Sequence, residues 1–159
     1  MAITPSSQHT LTGWLFVLAQ AMLLIALIAV PRADDWPVPT WLNLTGVLLA
    51  GFGLLVMVAA ALRLGPNLTP TPMPKAHGQL TTTGLYRYSR HPIYTGVLVL
   101  VVGIVVRSGS LLTLAIGVVT VAFFTAKAAW EEQRLREHYP DYAAYAASTG
   151  RFFPRLARR

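Results

Sequence analysis

The chain has 159 residues, 54% of them hydrophobic and only 12% charged, with a mean hydropathy of +0.52, too apolar for a soluble domain and long enough for a handful of membrane spans in one unit. Its formal net charge of +7 sits on basic residues that flank apolar segments. That arrangement points to anionic lipid and membrane topology and excludes nucleic acid, which needs an interleaved polar and basic face.

The first predicted element is a membrane span over Leu11 to Val30, interrupted only by Thr12 and Gln20. It does not read as a signal peptide: no positive residue precedes it, and Pro31 and Arg32 follow without a small-residue cleavage site. PRADDWPVPT forms a proline-rich turn, and Trp41 to Leu62 a second span with an indole at its entrance, where an amphipathic ring is at home. Gly46, Ala50 and Gly53 permit close approach of another helix.

Between Gly65 and Gly84 the prolines and the missing apolar period predict a loop. Ile93 to Val106 is an apolar run of about 21 Å as a helix. RSGS turns the chain, and Leu111 to Ala129 returns, completing a helical hairpin. After Trp130 the chain becomes polar and basic, and Leu135, Tyr139, Tyr142 and Tyr145 recur at spacings suited to an interfacial helix that Pro140 must kink or restart. The expected fold is therefore an all-α integral-membrane bundle, one domain over residues 1–159. It has about four transmembrane helices (11–30, 41–62, 93–106 and 111–129), the last two a hairpin, and a C-terminal segment over 130–159.

Lysine and arginine orient this bundle. Arg32 in the first turn is offset by Asp34 and Asp35, whereas the central loop holds Arg63, Lys75, Arg87 and Arg90, and the tail adds more. The central loop and both termini are expected on the cytoplasmic side of a plasma (inner) membrane.

The same topology brings two polar clusters to one membrane face. Arg90, His91 and Pro92 open the third span, with proline in the first turn, where its missing N–H costs nothing and free backbone donors favour an anion. Glu131 and Glu132 close the fourth. Taken singly, each residue also has a structural reading. Arg87 and Arg90 suit positive-inside anchors and Tyr86, Tyr88 and Tyr94 an aromatic belt, while Lys127–Glu131 and Glu132–Arg136 have the spacing of helical ion pairs. Metal ligation is not expected, since His9, His77, His91 and His138 are scattered without ligand spacing and the chain has no cysteine.

The run QLTTTGLYRYSRHPIYTG, followed by EEQRLREHYPDYAAY and closed by RFFP, resembles the isoprenylcysteine carboxyl methyltransferase and phospholipid methyltransferase superfamily. Its signature of Arg-His-Pro-x-Tyr-x-Gly and a later Glu-Glu pair is present in order. The resemblance implies an integral-membrane methyltransferase that uses S-adenosylmethionine and acts on a lipophilic or lipid acceptor, a carboxylate among the candidates. It implies a cofactor loop over residues 65–92, in which Gly78, Gln79, Leu80 and Thr81 border the cofactor with Tyr86. His91, Pro92, Ile93 and Tyr94 continue that wall, and Glu131 with Glu132 supplies carboxylate. Where isoprenylcysteine enzymes carry a substrate-binding arginine, one helical turn before the glutamate, this chain has Lys127. Lysine keeps the charge and loses the bidentate fork, so it would position an acceptor, with His91 or a glutamate as the nearby base if the acceptor is an amine or phenol.

Two other classes share features with this pattern. Membrane sterol and enone reductases have a related histidine-proline-x-tyrosine motif with NADPH, and a non-enzymatic scaffold would use the whole motif for anchoring. Gly96 followed by Val97, with the intact glutamate pair, favours the methyltransferase.

The charge asymmetry is directly testable in this cysteine-free chain. Single cysteines at Asp34 and Lys75 should react with a membrane-impermeant thiol reagent from opposite sides of the membrane, and labelling of both from the outside would refute the orientation.

Overall fold

A computed structural model describes residues 7–71, 73 and 78–155; Lys75 and His77 lie outside the described residues. Among the described residues the chain is helical, with no strands beyond a single bridge between Ser89 and Gly150. Five α-helices follow one another: α1 (Ser7–Ala29), α2 (Thr40–Leu64), α3 (Pro92–Ser108), α4 (Leu111–His138) and α5 (Tyr142–Ser148). Short 3₁₀ turns at Gly65–Asn67 and Gly84–Arg87 bracket the central loop.

By length and composition α1, α2 and α4 can each cross a membrane, and α3 is a shorter apolar helix of 17 residues, about 25 Å long. The outward faces agree. Leu18, Met22 and Ile25 on α1, Leu48, Phe52 and Leu55 on α2, and Val118 and Val119 on α4 are all exposed, an apolar belt that only lipid would solvate well.

The fourth helix continues past the expected span over 111–129, unbroken through Trp130, Glu131 and Glu132 to His138, because no helix breaker occurs until Pro140. The polar segment is thus an extension of α4, and the chain restarts as α5 after the proline. This extension carries the glutamates on a rigid rod.

The two turns at one end of the bundle are tied together. Ala33 N–H donates to Ser108 O (3.0 Å) and Asp35 N–H to Gly109 O (2.9 Å), while the Asp35 carboxylate accepts from Leu111 N at the start of α4 (2.7 Å). Gly109 takes φ +62°, and a Cβ there would lie 2.2 Å from Ala33 O, so the turn needs glycine twice over. The central loop, the start of α3, the end of α4 and α5 gather at the opposite end. Asp34 and Asp35 therefore lie at the end away from the basic loop.

Helices α2 and α3 are pressed backbone to backbone. A Cβ on Gly53 would come within 2.5 Å of Gly96 O and 2.6 Å of Leu100 N, and one on Gly103 within 2.5 Å of Gly46 O. Where lipid tails compete with apolar side chains, close van der Waals packing of small residues is what holds helices together. Leu27, Val97, Leu98, Val101 and Phe124 fill the core beside this seam.

This seam predicts a contrast between two glycines of α2. Gly53→Val should lower the melting temperature of the detergent-solubilised protein, at a cost of about 1–3 kcal/mol for overpacking. Gly51→Ala, with nothing within 4 Å of the new Cβ, should leave it unchanged.

Candidate active site

Pro92 occupies the first turn of α3, and the chain before it is strapped to the C-terminal segment. Arg90 N–H donates to Gly150 O (2.9 Å) and His91 N–H to Arg151 O (3.1 Å), and Thr95 Oγ1 donates to Phe152 O (2.6 Å). A Cβ on Gly150 would fall 1.8 Å from Phe153 O, so this bend is tight enough to require glycine.

Beneath the strap lies a buried carboxylate. Glu132 Oε1 accepts from Arg90 Nε (3.1 Å) and Nη2 (2.9 Å) and from Arg151 Nε (3.0 Å), and Oε2 accepts from Arg151 Nη2 (3.1 Å). Arg90 spends its remaining terminal nitrogen on Ala146 O (2.9 Å) and Thr149 O (2.6 Å), tying α5 to the same hub. The bond to Glu132 raises the pKa of Arg151, which keeps its charge at any accessible pH.

Next to this hub is a cavity of about 280 Å³ lined by the central loop, the start of α3, α4, α5 and one residue of α1. Of the residues singled out from sequence, Gln79, Leu80, Thr81, Tyr86, His91, Ile93, Tyr94, Lys127 and Glu131 line it together. Gly78, Pro92 and Glu132 do not. Pro92 is buried in the first turn of α3, and Gly78 precedes the lining stretch. Glu132 is 2% exposed, and its carboxylate is taken by two guanidinium groups behind the wall. Neighbouring residues on a helix diverge by about 100°, so Glu131 and Glu132 cannot face the same way. Neither helical ion pair of the alternative structural reading forms: Lys127 does not pair with Glu131, nor Glu132 with Arg136.

Glu131 faces the cavity. Its Oε2 accepts from Tyr94 Oη (2.7 Å) and lies 3.7 Å from His91 Nδ1. The His91 ring stacks flat on Tyr94 (centroids 5.2 Å apart, 2° between planes), and its Nε2 sits 3.3 Å from Glu132 Oε1 outside hydrogen-bond geometry. Lys127, 3% exposed, donates to Gln20 Oε1 from α1 and lies over the rings of Tyr94 and Phe124, 5.1 and 5.7 Å from their centroids.

Tyrosines complete the wall. Burial raises the pKa of Tyr86 and Tyr142 and pushes Tyr145 up to about 12, so all three stay protonated near neutrality and are able to donate but not to act as bases. Tyr145 Oη donates to Tyr86 O, whereas Tyr142 Oη is buried without a partner. Asn67 clasps the base of the loop, donating from Nδ2 to Gln79 O (3.1 Å) and accepting at Oδ1 from Gln79 N (3.4 Å). Among the described residues no group of three or more His, Cys, Asp or Glu could hold a metal ion.

Sequence reasoning did not assign site roles to Gln20, Asn67, Arg151 or Tyr142. Gln20 left a trace as a polar interruption in an apolar span, Tyr142 as part of the interfacial periodicity and Arg151 as the first residue of the closing RFFP.

Residues 41–142 match the sequence profile of the phospholipid methyltransferase family. The chain belongs to the phospholipid methyltransferase family. It is 27% identical over 152 residues to the nickel-cobalt-cadmium resistance protein NccN of Alcaligenes xylosoxydans xylosoxydans, covering 95% of this chain and 67% of that protein. It is 32% identical over 84 residues to the cobalt-zinc-cadmium resistance protein CzcN of Cupriavidus metallidurans, covering 52% of this chain and 39% of that protein. Its fold is that of the eukaryotic intramembrane Ras methyltransferase ICMT (isoprenylcysteine carboxyl methyltransferase), with a TM-score of 0.66 at 21% identity over 96% of this chain. The chain spans 54% of the ICMT chain. Motif, profile and fold converge on an all-helical membrane protein of a methyltransferase family.

Glu132 and its exposed neighbour Gln133 should separate on substitution. Glu132→Gln leaves two guanidinium groups without their counter-charge and should cost about 3–5 kcal/mol in a chemical denaturation series. Gln133→Ala, at the exposed next position, should change stability by less than about 0.5 kcal/mol.

Proposed function

We propose that this protein transfers a methyl group from S-adenosylmethionine to a lipophilic acceptor bearing a carboxylate, at the cytoplasmic face of the membrane. The observation that carries the reading is one cavity in which loop residues Gln79 to Thr81, Tyr86, Tyr94 and Glu131 converge with the buried cation of Lys127. The curated relatives bear names of metal resistance, which state no reaction, so the acceptor is argued from the site itself.

The residues present suit the cofactor. Glu131 would hold its ammonium or ribose hydroxyls, Tyr142 Oη is a buried polar atom in want of a partner, and the rings of Tyr86 and Tyr145 offer faces to a purine. When bound, the cofactor supplies a methyl group already activated on a sulfonium, and with it the leaving group. What remains for the protein is positioning in a dry pocket. A carboxylate acceptor is ionised near neutrality, so it needs no general base. Lys127 would orient it through charge. His91, wedged between the two glutamates and stacked on Tyr94, would hold the Tyr94–Glu131 pair in place. The apolar wall that includes Ile93 and Leu135 suits the body of a lipid.

The detergent-solubilised protein should bind S-adenosylmethionine and S-adenosylhomocysteine in calorimetric titration; binding of NADPH with no affinity for either sulfur nucleotide would sink the proposal. Glu131→Gln should weaken cofactor binding by about 1–3 kcal/mol through loss of a charge-assisted hydrogen bond. Lys127→Ala should leave cofactor affinity nearly intact and lower turnover of the acceptor. If both variants changed only the melting temperature, the pair would be structural.

A further inference from the structure

Lys127 and Glu131 stand one helical turn apart on α4, and both line the cavity. In a site of low dielectric, opposite charges at that spacing attract strongly, and collapse into an ion pair is the simplest outcome. They do not pair. The Lys127 ammonium instead donates to Gln20 Oε1, which reaches it across the α1/α4 contact, and rests against the faces of Tyr94 and Phe124. Every one of these partners is neutral. They satisfy the ammonium without cancelling its charge.

Gln20 sits deep in its helix, about 20 Å along the axis from Ser7 and about 14 Å from Ala29. A polar side chain at mid-span is unfavourable unless it has a partner, and one that pairs with a buried cation at a cavity wall is a candidate functional residue. The orientation of its amide follows from chemistry. A lysine ammonium only donates, so the amide oxygen must face it, leaving the two Nε2 hydrogens to donate elsewhere. Tyr94 does the matching work on the other side: its hydroxyl holds the Glu131 carboxylate while its ring faces Lys127.

We infer that Gln20 is a positioning residue that holds Lys127 away from Glu131, so that one cavity presents a free carboxylate and a free cation a single turn apart. This deepens the proposed function and rests on its assignment of Glu131 to the cofactor and Lys127 to the acceptor. Without Gln20, the lysine would fall onto Glu131 and neutralise both subsites together.

The test has a readout that needs no ligand. The coupling between Lys127→Met and Glu131→Gln, measured as a double-mutant cycle in melting temperature, should be the small value of two charges held apart while Gln20 is present. In a Gln20→Leu background it should grow by about 2–4 °C, the signature of a newly formed ion pair. The second readout is calorimetric binding of S-adenosylhomocysteine. Gln20→Leu should weaken it about tenfold, whereas Gln20→Leu combined with Lys127→Met should restore it, since no lysine then remains to occupy Glu131. A merely structural glutamine would lower the melting temperature without that rescue. Equal coupling in both backgrounds, or a double variant as weak as Gln20→Leu alone, overturns the inference. Should the wild-type protein bind no S-adenosylhomocysteine, the cofactor proposal fails, while the melting cycle still decides the role of Gln20.

Discussion

The architecture of the site depends on one buried carboxylate held by two guanidinium groups. Glu132 belongs to α4, Arg90 to the turn before α3, and Arg151 to the strap after α5, so a single side chain joins three remote segments. Such a group is stable only when its partners supply nearly all the hydrogen bonds that water would have made. Here they do, and Arg90 carries the connection onward to the carbonyls of Ala146 and Thr149. The wall of the cavity is thereby fixed from behind by charge.

Fixing the wall frees its front. Because Glu132 discharges the arginines, the adjacent Glu131 faces the cavity, and among the described residues Tyr94 Oη donates to it. The surrounding tyrosines remain protonated and supply hydrogen-bond donors without basicity. This set of groups suits group transfer from an activated donor, where position and exclusion of water matter more than proton movement. The α2/α3 seam contributes by a different force. Glycines at 46, 53, 96 and 103 bring two backbones into contact, and the short α3 is thereby held in register against a helix that faces lipid on its other side.

Much of this was legible from the chain alone, for local reasons. Apolar runs long enough to cross a bilayer mark α1, α2 and α4, prolines mark the loop between α2 and α3, and Arg90-His91-Pro92 followed by the glutamate pair marks the family. The apolar span reads as 111–129 because the composition changes there, while the helix itself continues through polar residues that favour it and stops before the breaker Pro140.

What the sequence by itself determined was the membrane class, the helix order and the motif that names the family, since each rests on the period and composition of contiguous residues. Which of two neighbouring glutamates faces the cavity, and which partners Lys127 takes, only the tertiary structure decided. Gln20 lies far from Lys127 in the chain, as Arg90 does from Glu132, and such pairs acquire meaning only when packing removes the water between them and makes an unmet donor or charge costly.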